Sequence, residues 1–284
     1  MLTNLESLEI YDEVLYGDEP FVSTHPQTLA SIATLYGLKP AHPEKCRLLE
    51  LGAAKGNNIM GMAYAYPESN FIGVDLSLRQ VSIGNKNINS LGLKNIELIY
   101  ADILKLDSSL GKFDYIIAHG VLSWVPPVVR EKIFEICGAL LNPNGICYLS
   151  YNTYPGWKAR DVFRDIMLFE GKNSQDSETQ VTQARLGLDI TAKIISDNNS
   201  DFANLLKSEI GNFQNRPNWY YVHDFIAENN QPFYIHEIFE MAKKVDLQYL
   251  TDTELSSCTL QGLTPNSQEI LKKLSNNLLR FEQY

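Results

Sequence analysis

The stretch Arg47-Leu48-Leu49-Glu50-Leu51-Gly52-Ala53-Ala54-Lys55-Gly56 decides the fold. Its first half is a short apolar run with the texture of a strand, and two glycines then bracket small residues. Gly52 lets the chain turn sharply, and alanines at 53 and 54 let a backbone approach a ligand closely. Gly56 allows tight packing as the next helix starts. The same alternation repeats across Cys46–Tyr151. Further strand candidates are Phe71–Val74, Ile96–Tyr100, Tyr115–Ala118 and Ile146–Ser150. Between them, Leu78–Leu91 puts Val81, Gly84, Ile88 and Leu91 on one helical face, with Ser77 and Gln80 spaced as a capping box. Val128–Leu141 follows Pro126-Pro127 and carries Ile133, Phe134, Cys137, Leu140 and Leu141 inward; Asn142-Pro143-Asn144-Gly145 then turns the chain into the fifth strand. Strand–helix alternation at this spacing predicts an α/β fold with a doubly wound, mostly parallel sheet. Ligands of such sheets bind beyond the carboxyl ends of the strands.

Composition narrows the rest. In 284 residues, 44% apolar and 20% charged, a disordered or fibrous chain is excluded. Against 34 acidic residues stand 24 Lys and Arg, a net −10 without a basic cluster, which disfavours a nucleic-acid partner. No apolar run approaches the roughly 20 residues of a membrane span. The start MLTNLESLEI has no basic region and is broken by Glu6 and Glu9, so neither membrane insertion nor a secretory signal is expected, and the default is the cytoplasm. Four scattered cysteines form no CxxC pair; Cys137 and Cys147 read as small core residues. Five histidines show no ligand spacing, His236 and Glu240 being helix neighbours, so no metal is expected.

Outside the sheet, residues 1–45 form a leader or lid in which Thr24-His25-Pro26-Gln27 opens a helix facing inward through Leu29, Ile32, Ala33 and Tyr36. The core is expected over 46–157 and a polar helical segment over 158–216, with an exposed loop at Gly171–Glu178. A further domain begins at 217. It contains helices at Trp219–Glu228 and Ile235–Val245, a sixth strand at Leu247–Leu250 and an amphipathic helix at Gln268–Arg280.

Four strand ends carry groups suited to a nucleoside. GxxxG after an acidic residue, rather than GxGxxG, favours a ligand without a pyrophosphate. Asp75, 19 residues beyond Gly56, is placed to accept two ribose hydroxyls. Asp102 is placed to accept from an exocyclic amine such as adenine N6, and His119 is delivered to the carboxyl edge by the fourth strand. Each has a plainer reading: Asp75 as a cap for Ser77, Asp102 as a surface acid, His119 as a hydrogen-bonded structural histidine. Their succession after consecutive strands is what favours a site.

ELGAAKG, GVD, YAD, FDYIIAHG and LNPNG together resemble the class I S-adenosylmethionine-dependent methyltransferases over Cys46–Ser150. The resemblance implies a Rossmann-like sheet of order 3-2-1-4-5-7-6, with helical additions at the N-terminus and after strand five. It also implies S-adenosyl-L-methionine as cofactor and S-adenosyl-L-homocysteine as product, held by Glu50, Leu51, Gly52, Ala53, Ala54, Gly56, Asp75, Leu76, Asp102, Ile103 and His119. The family's usual middle glycine is Ala54 here. YDEVLYGDEPFVSTHPQTLASIATLYGL, HGVLSWVPP, SYNTYPGW and HDFIAENNQPFYIHEIFEMAKKVDLQYLTDTEL are similar to the family that adds a methyltransferase regulatory domain and includes rickettsial protein-lysine methyltransferases acting on outer-membrane proteins.

Methyl transfer from a sulfonium is an in-line displacement governed by positioning and desolvation. His119, Tyr151, Tyr154 and Trp157 are the catalytic candidates, with Trp124 beside them and Tyr11 and Tyr16 closing from the leader. The expected function is methyl transfer to protein lysine. The alternatives are a small-molecule methyltransferase on the same core and a catalytically weak donor-binding subunit. The last rests on the chain's end, which reads as a truncated second half needing a homodimer or a complementary C-terminal chain.

Overall fold

The computed structural model describes residues 12–17, 19–174, 176–256, 258, 260, 262–274 and 278–283, which leaves Tyr11 outside. The chain divides into two compact units. One, built from residues 19–122, 126–151 and 233–283, holds the sheet. The other, built from 12–17, 123–125 and 152–232, is helical.

The sheet unit opens with helix α1 (Pro26–Leu35), capped by His25, whose Nδ1 accepts the Gln27 N–H. Leu29, Ile32 and Ala33 are buried as expected, but Tyr36 is 52% exposed. Strands β1 (Arg47–Leu51), β2 (Asn70–Asp75), β3 (Ile96–Tyr100), β4 (Phe113–Ala118) and β5 (Leu141–Leu149) alternate with α2 (Asn57–Ala65), α3 (Leu78–Leu91) and α4 (Pro127–Leu140). All pairings are parallel, in the order β3-β2-β1-β4-β5. The order reverses between β1 and β4, the switch point at which doubly wound sheets bind ligands. Leu48, Leu49 and Leu51 of β1 are fully buried, as are Ile116 and Ile117 of β4. Central strands covered on both faces are apolar at nearly every position, which is why they were readable as runs.

Several expectations change. The turn Asn142-Pro143-Asn144-Gly145 lies inside β5: Phe113 pairs with Leu141 and Tyr115 with Ile146, so the extra residues bulge out of the ladder, with Asn144 at φ 60. Leu91 is exposed because α3 ends there, capped by left-handed Gly92. Ser77 accepts the Gln80 N–H, but its own N–H goes to Asp75 Oδ1 (2.8 Å), so the capping box is completed by the aspartate instead of by Gln80.

The helical unit contains α5 (Lys158–Gly171), α6 (Ser177–Ile194), α7 (Asp201–Phe213) and the short α8 (Asn218–Tyr221). Its core is Phe163, Met167, Leu188, Ile210, Phe213, Tyr221 and Phe225 with their neighbours. The helix expected over Trp219–Glu228 is replaced by α8 and a π-helical turn at Val222–Ile226. Tyr16 packs here against Trp219 (ring centroids 4.8 Å apart) and His223.

In the sheet unit the chain ends with α9 (Ile235–Lys243), α10 (Pro265–Lys272) and α11 (Leu278–Gln283), so the single helix expected over Gln268–Arg280 is two shorter ones. Leu247–Leu250 is not a strand. Asp246 adopts φ 58, Leu247 N–H bonds back to Ala242, and Tyr249 packs on Phe239 at 4.9 Å, which folds the segment onto its own helix. Among the described residues the sheet therefore has five strands. None of their helices is long and apolar enough to cross a membrane.

Candidate functional site

The turn after β1 is tightly specified. Gly52 and Ala53 donate their N–H groups to Val74 O at 2.8 and 3.0 Å. Gly52 has φ 73, and a Cβ there would lie 2.6 Å from Val121 Cγ2. Gly56 repeats that φ as the N-cap of α2, with Leu98 occupying the space of its missing Cβ. Between them Ala54 takes φ 49, a left-handed conformation that costs a residue with a Cβ about 1–2 kcal/mol. Its N–H donates to Asp75 Oδ2 at 2.7 Å, a charge-assisted bond that holds it there.

Glu50 is the buried acid of the site, 4% exposed. Asn58 Nδ2 donates to its Oε1 at 2.7 Å, while Oε2 has no hydrogen-bond partner. Burial, with Asp75 adding repulsion, pushes Glu50 up to about 8 despite the Asn58 bond. Asn58 also accepts the Phe21 N–H (2.9 Å) and exchanges bonds with the Thr24 hydroxyl. The leader turn at Phe21–Thr24 is thereby fastened to the end of β1.

Asp75 uses one carboxylate oxygen for Ala54 and the other for Ser77, so the capping role and the site position coincide; an ionised carboxylate has about four acceptor sites in all. Leu76 beside it is 39% exposed. Asp102 Oδ1 accepts the Leu104 N–H at 2.9 Å and caps a short turn at Ile103–Lys105. His119 sits beyond β4 with its Nδ1 3.3 Å from the Tyr148 hydroxyl, which in turn lies 3.3 Å from Ser23 Oγ. The Phe21 ring covers the imidazole at 3.8 Å between centroids. Burial pushes His119 down to about 4, so it is neutral at pH 7. Tyr151 packs edge-on against Phe233, and burial pushes its hydroxyl up to about 12.

The carboxyl edge therefore offers a backbone cradle, a buried carboxyl with one oxygen unbonded, a fixed aspartate at β2 and a neutral imidazole. Residues 42–185 match the family described as "Methyltransferase domain", and residues 217–284 match "Predicted methyltransferase regulatory domain". This chain belongs to the class I S-adenosylmethionine-dependent methyltransferases that carry a methyltransferase regulatory domain. It is 38% identical over 240 residues to RP028, an uncharacterized protein of Rickettsia prowazekii, covering 84% of this chain and 96% of that one. It is 42% identical over 274 residues to RP789 of the same organism, covering 96% of this chain and 49% of the relative. The structure of PKMT2 from Rickettsia typhi in complex with AdoHcy superposes with a TM-score of 0.87 at 37% identity, over 95% of this chain and 52% of that one. The chain thus spans about half the length of RP789 and PKMT2.

The cofactor of this methyltransferase is S-adenosylmethionine. Its residues suit a cationic nucleoside: Glu50 Oε2 is a buried acceptor without a partner, and a sulfonium or ammonium opposite it would offset the cost of ionising the carboxyl. Among the described residues no cluster of three His, Cys, Asp or Glu could hold a metal.

The methyltransferase distributes the catalytic candidates over both units. His119 and Tyr151 belong to the sheet unit, Tyr154 and Trp157 to the helical one. Tyr154 donates to Asp161 at 3.3 Å and lies under the Lys158 ammonium; Trp157 is buried beneath the Arg160 guanidinium, 4.9 Å from its ring. Asn58, Phe21, Ser23 and Tyr148 were missed. Phe21 lies 37 residues before Asn58, and nothing local in either segment signals that contact.

Proposed function

We propose that this methyltransferase transfers a methyl group to the side-chain amine of lysine in a protein substrate. The observation that carries the proposal is the likeness to PKMT2 along nearly the whole chain, where a fold-level likeness alone would leave the substrate open. Outer-membrane proteins are the substrate class that the family resemblance of the sequence implies. S-adenosylmethionine supplies an electrophilic methyl on a sulfonium, and this chain's residues position it and exclude water. The loop Glu50–Gly56 with Leu51 and Ala53 would hold the methionine part, Asp75 and Leu76 the ribose, and Asp102 and Ile103 the adenine. His119, neutral at pH 7, adds no charge that would repel the sulfonium. An attacking lysine must be neutral, and an apolar aromatic slot favours that form by desolvation. The same reading puts the chain in the cytoplasm. It also pairs the chain with a second copy or a complementary chain along the outer edge of β5, where no described strand lies; light scattering on the purified chain tests that pairing.

The test is incubation with labelled donor of cell-envelope proteins in one arm and a metabolite extract in the other. Label recovered as methyl-lysine after protein hydrolysis is the expected result. Label confined to small molecules would move the assignment to a small-molecule methyltransferase. Donor binding without transfer in either arm would make the chain a donor-binding subunit.

A further inference from the structure

The helical unit gathers buried polar groups around Ser123 that have nothing to bond. Ser123 is 1% exposed; its hydroxyl accepts the Asn152 N–H at 2.9 Å, and its carbonyl accepts the Gln231 N–H at 2.8 Å. One residue thus fastens three segments and draws Asn152, Trp124 and Asn230 together. The Trp124 ring meets Trp157 at 6.2 Å, nearly perpendicular. Trp157 is only 8% exposed, and its Nε1 has no hydrogen-bond partner. Asn152 Nδ2 and both polar atoms of the Asn230 amide are likewise buried without partners. Folded chains leave few such atoms unbonded, and each one costs about 1–3 kcal/mol. Four on segments that Ser123 and the Trp124–Trp157 contact link call for a ligand.

We propose that this cluster binds the peptide backbone of the substrate, as an extended segment carrying the target lysine. This deepens the protein-lysine reading and rests on it. The donors are neutral. Trp157 and Asn152 offer N–H groups only, which suit peptide carbonyls, and the Asn230 amide sets a donor beside an acceptor, the complement of a peptide N–H and C=O. Arg160 is committed to the Trp157 ring face and to Glu209 at 3.6 Å, and Arg164 Nη2 to the Ala227 and Glu228 carbonyls. The half-buried Trp124 gives an aromatic wall for the apolar stem of a side chain.

The experiment follows the indole N–H resonances of the full chain with S-adenosylhomocysteine bound. The chain has three tryptophans, and the Trp157 signal is the one lost in Trp157→Phe. Acetyl-Ala-Lys-Ala-amide should move that resonance downfield, and n-butylamine, which has the amine and no peptide group, should leave it in place. Trp157→Phe keeps a ring in the core and Asn230→Asp keeps the shape. Each should raise the tripeptide Kd and the protein-substrate KM roughly five- to tenfold, the worth of one hydrogen bond, with donor Kd unchanged. A Trp157 signal indifferent to the tripeptide, an equal response to n-butylamine, or an unchanged KM in both variants overturns the proposal. Label on lysine with a silent indole overturns the peptide site alone. An indole response without label on lysine supports the site and overturns the protein-lysine reading.

Discussion

The two units satisfy their polar groups differently. In the sheet unit, Glu50, Asn58, Thr24 and Phe21 form a closed chain of bonds, and Asp75 clamps two backbone N–H groups. One atom of that network, Glu50 Oε2, is left without a partner, and outside it so are Gln80 Oε1 and Arg130 Nε of the same unit. In the helical unit, Asn152, Trp157, Asp224 and Asn230 all keep buried atoms unbonded. A donor of fixed chemistry can be met by a prebuilt cradle with a single vacancy. A peptide, whose contacts form only on binding, needs several vacancies held in reserve, and that reserve lowers the stability of the free protein.

The contrast breaks most clearly under matched substitutions. Asn58→Leu leaves a buried carboxyl wholly unbonded and should cost about 3 kcal/mol, lowering Tm by roughly 6–10 °C in thermal unfolding. Asn230→Leu removes a buried amide that has no partner to lose, so Tm should hold or rise. Equal losses would mean that the helical unit is bonded as fully as the sheet unit.

Titration separates the units next. Burial raises Glu50 from 4.5 to about 8 and Asp224 from 3.8 to about 7, the latter opposed by Arg160 and Arg216. In both cases the folded chain keeps a proton that the unfolded chain has already released. Their stabilisation is therefore fully present below the unfolded values and is lost as pH rises through the folded ones. Tm should fall between about pH 5 and 8. Glu50→Gln removes one share of the slope and Asp224→Asn the other. Saturating donor should abolish the Glu50 share alone, and a slope unchanged by donor would detach Glu50 from the site.

Kinetics should divide along the same line. Trp157→Phe raises the KM for protein without touching donor affinity, whereas Asp102→Ala weakens the donor by roughly tenfold and leaves the tripeptide Kd alone. Titrating each ligand against each variant measures both. The smallest expected effect is in the cradle itself. Ala54→Gly releases the strain of φ 49 and should stabilise the fold by about 1 kcal/mol, read as a small rise in Tm.

What the sequence made legible follows from range. β1, β3 and α3 begin and end where their apolar patterns and caps place them, because buried parallel strands and a Ser-capped helix advertise themselves within ten or so residues. β5 begins at Leu141, before the apolar run at Ile146: Pro143-Asn144-Gly145 has the composition of a turn, and a bulge uses the same residues. The strand expected at Leu247–Leu250 does not form because the Tyr249 ring packs on Phe239 of α9 and the Leu247 N–H bonds back to Ala242. The acid positions at 50, 75 and 102 were visible from spacing. Asn58 beside Glu50 carries no such signal, and the contacts of Phe21 with Asn58 and of Tyr148 with His119 join segments 37 and 29 residues apart.

The central claim is that the turn after β1, with Asp75 and Glu50, binds S-adenosylmethionine, and calorimetric titration of the full chain with S-adenosylmethionine tests it most directly. One site per chain is expected, with affinity rising as pH approaches about 8 in the wild type but flat with pH in Glu50→Gln, and binding lost in Asp75→Ala. No heat of binding in the wild type, or equal binding by Asp75→Ala, would contradict it.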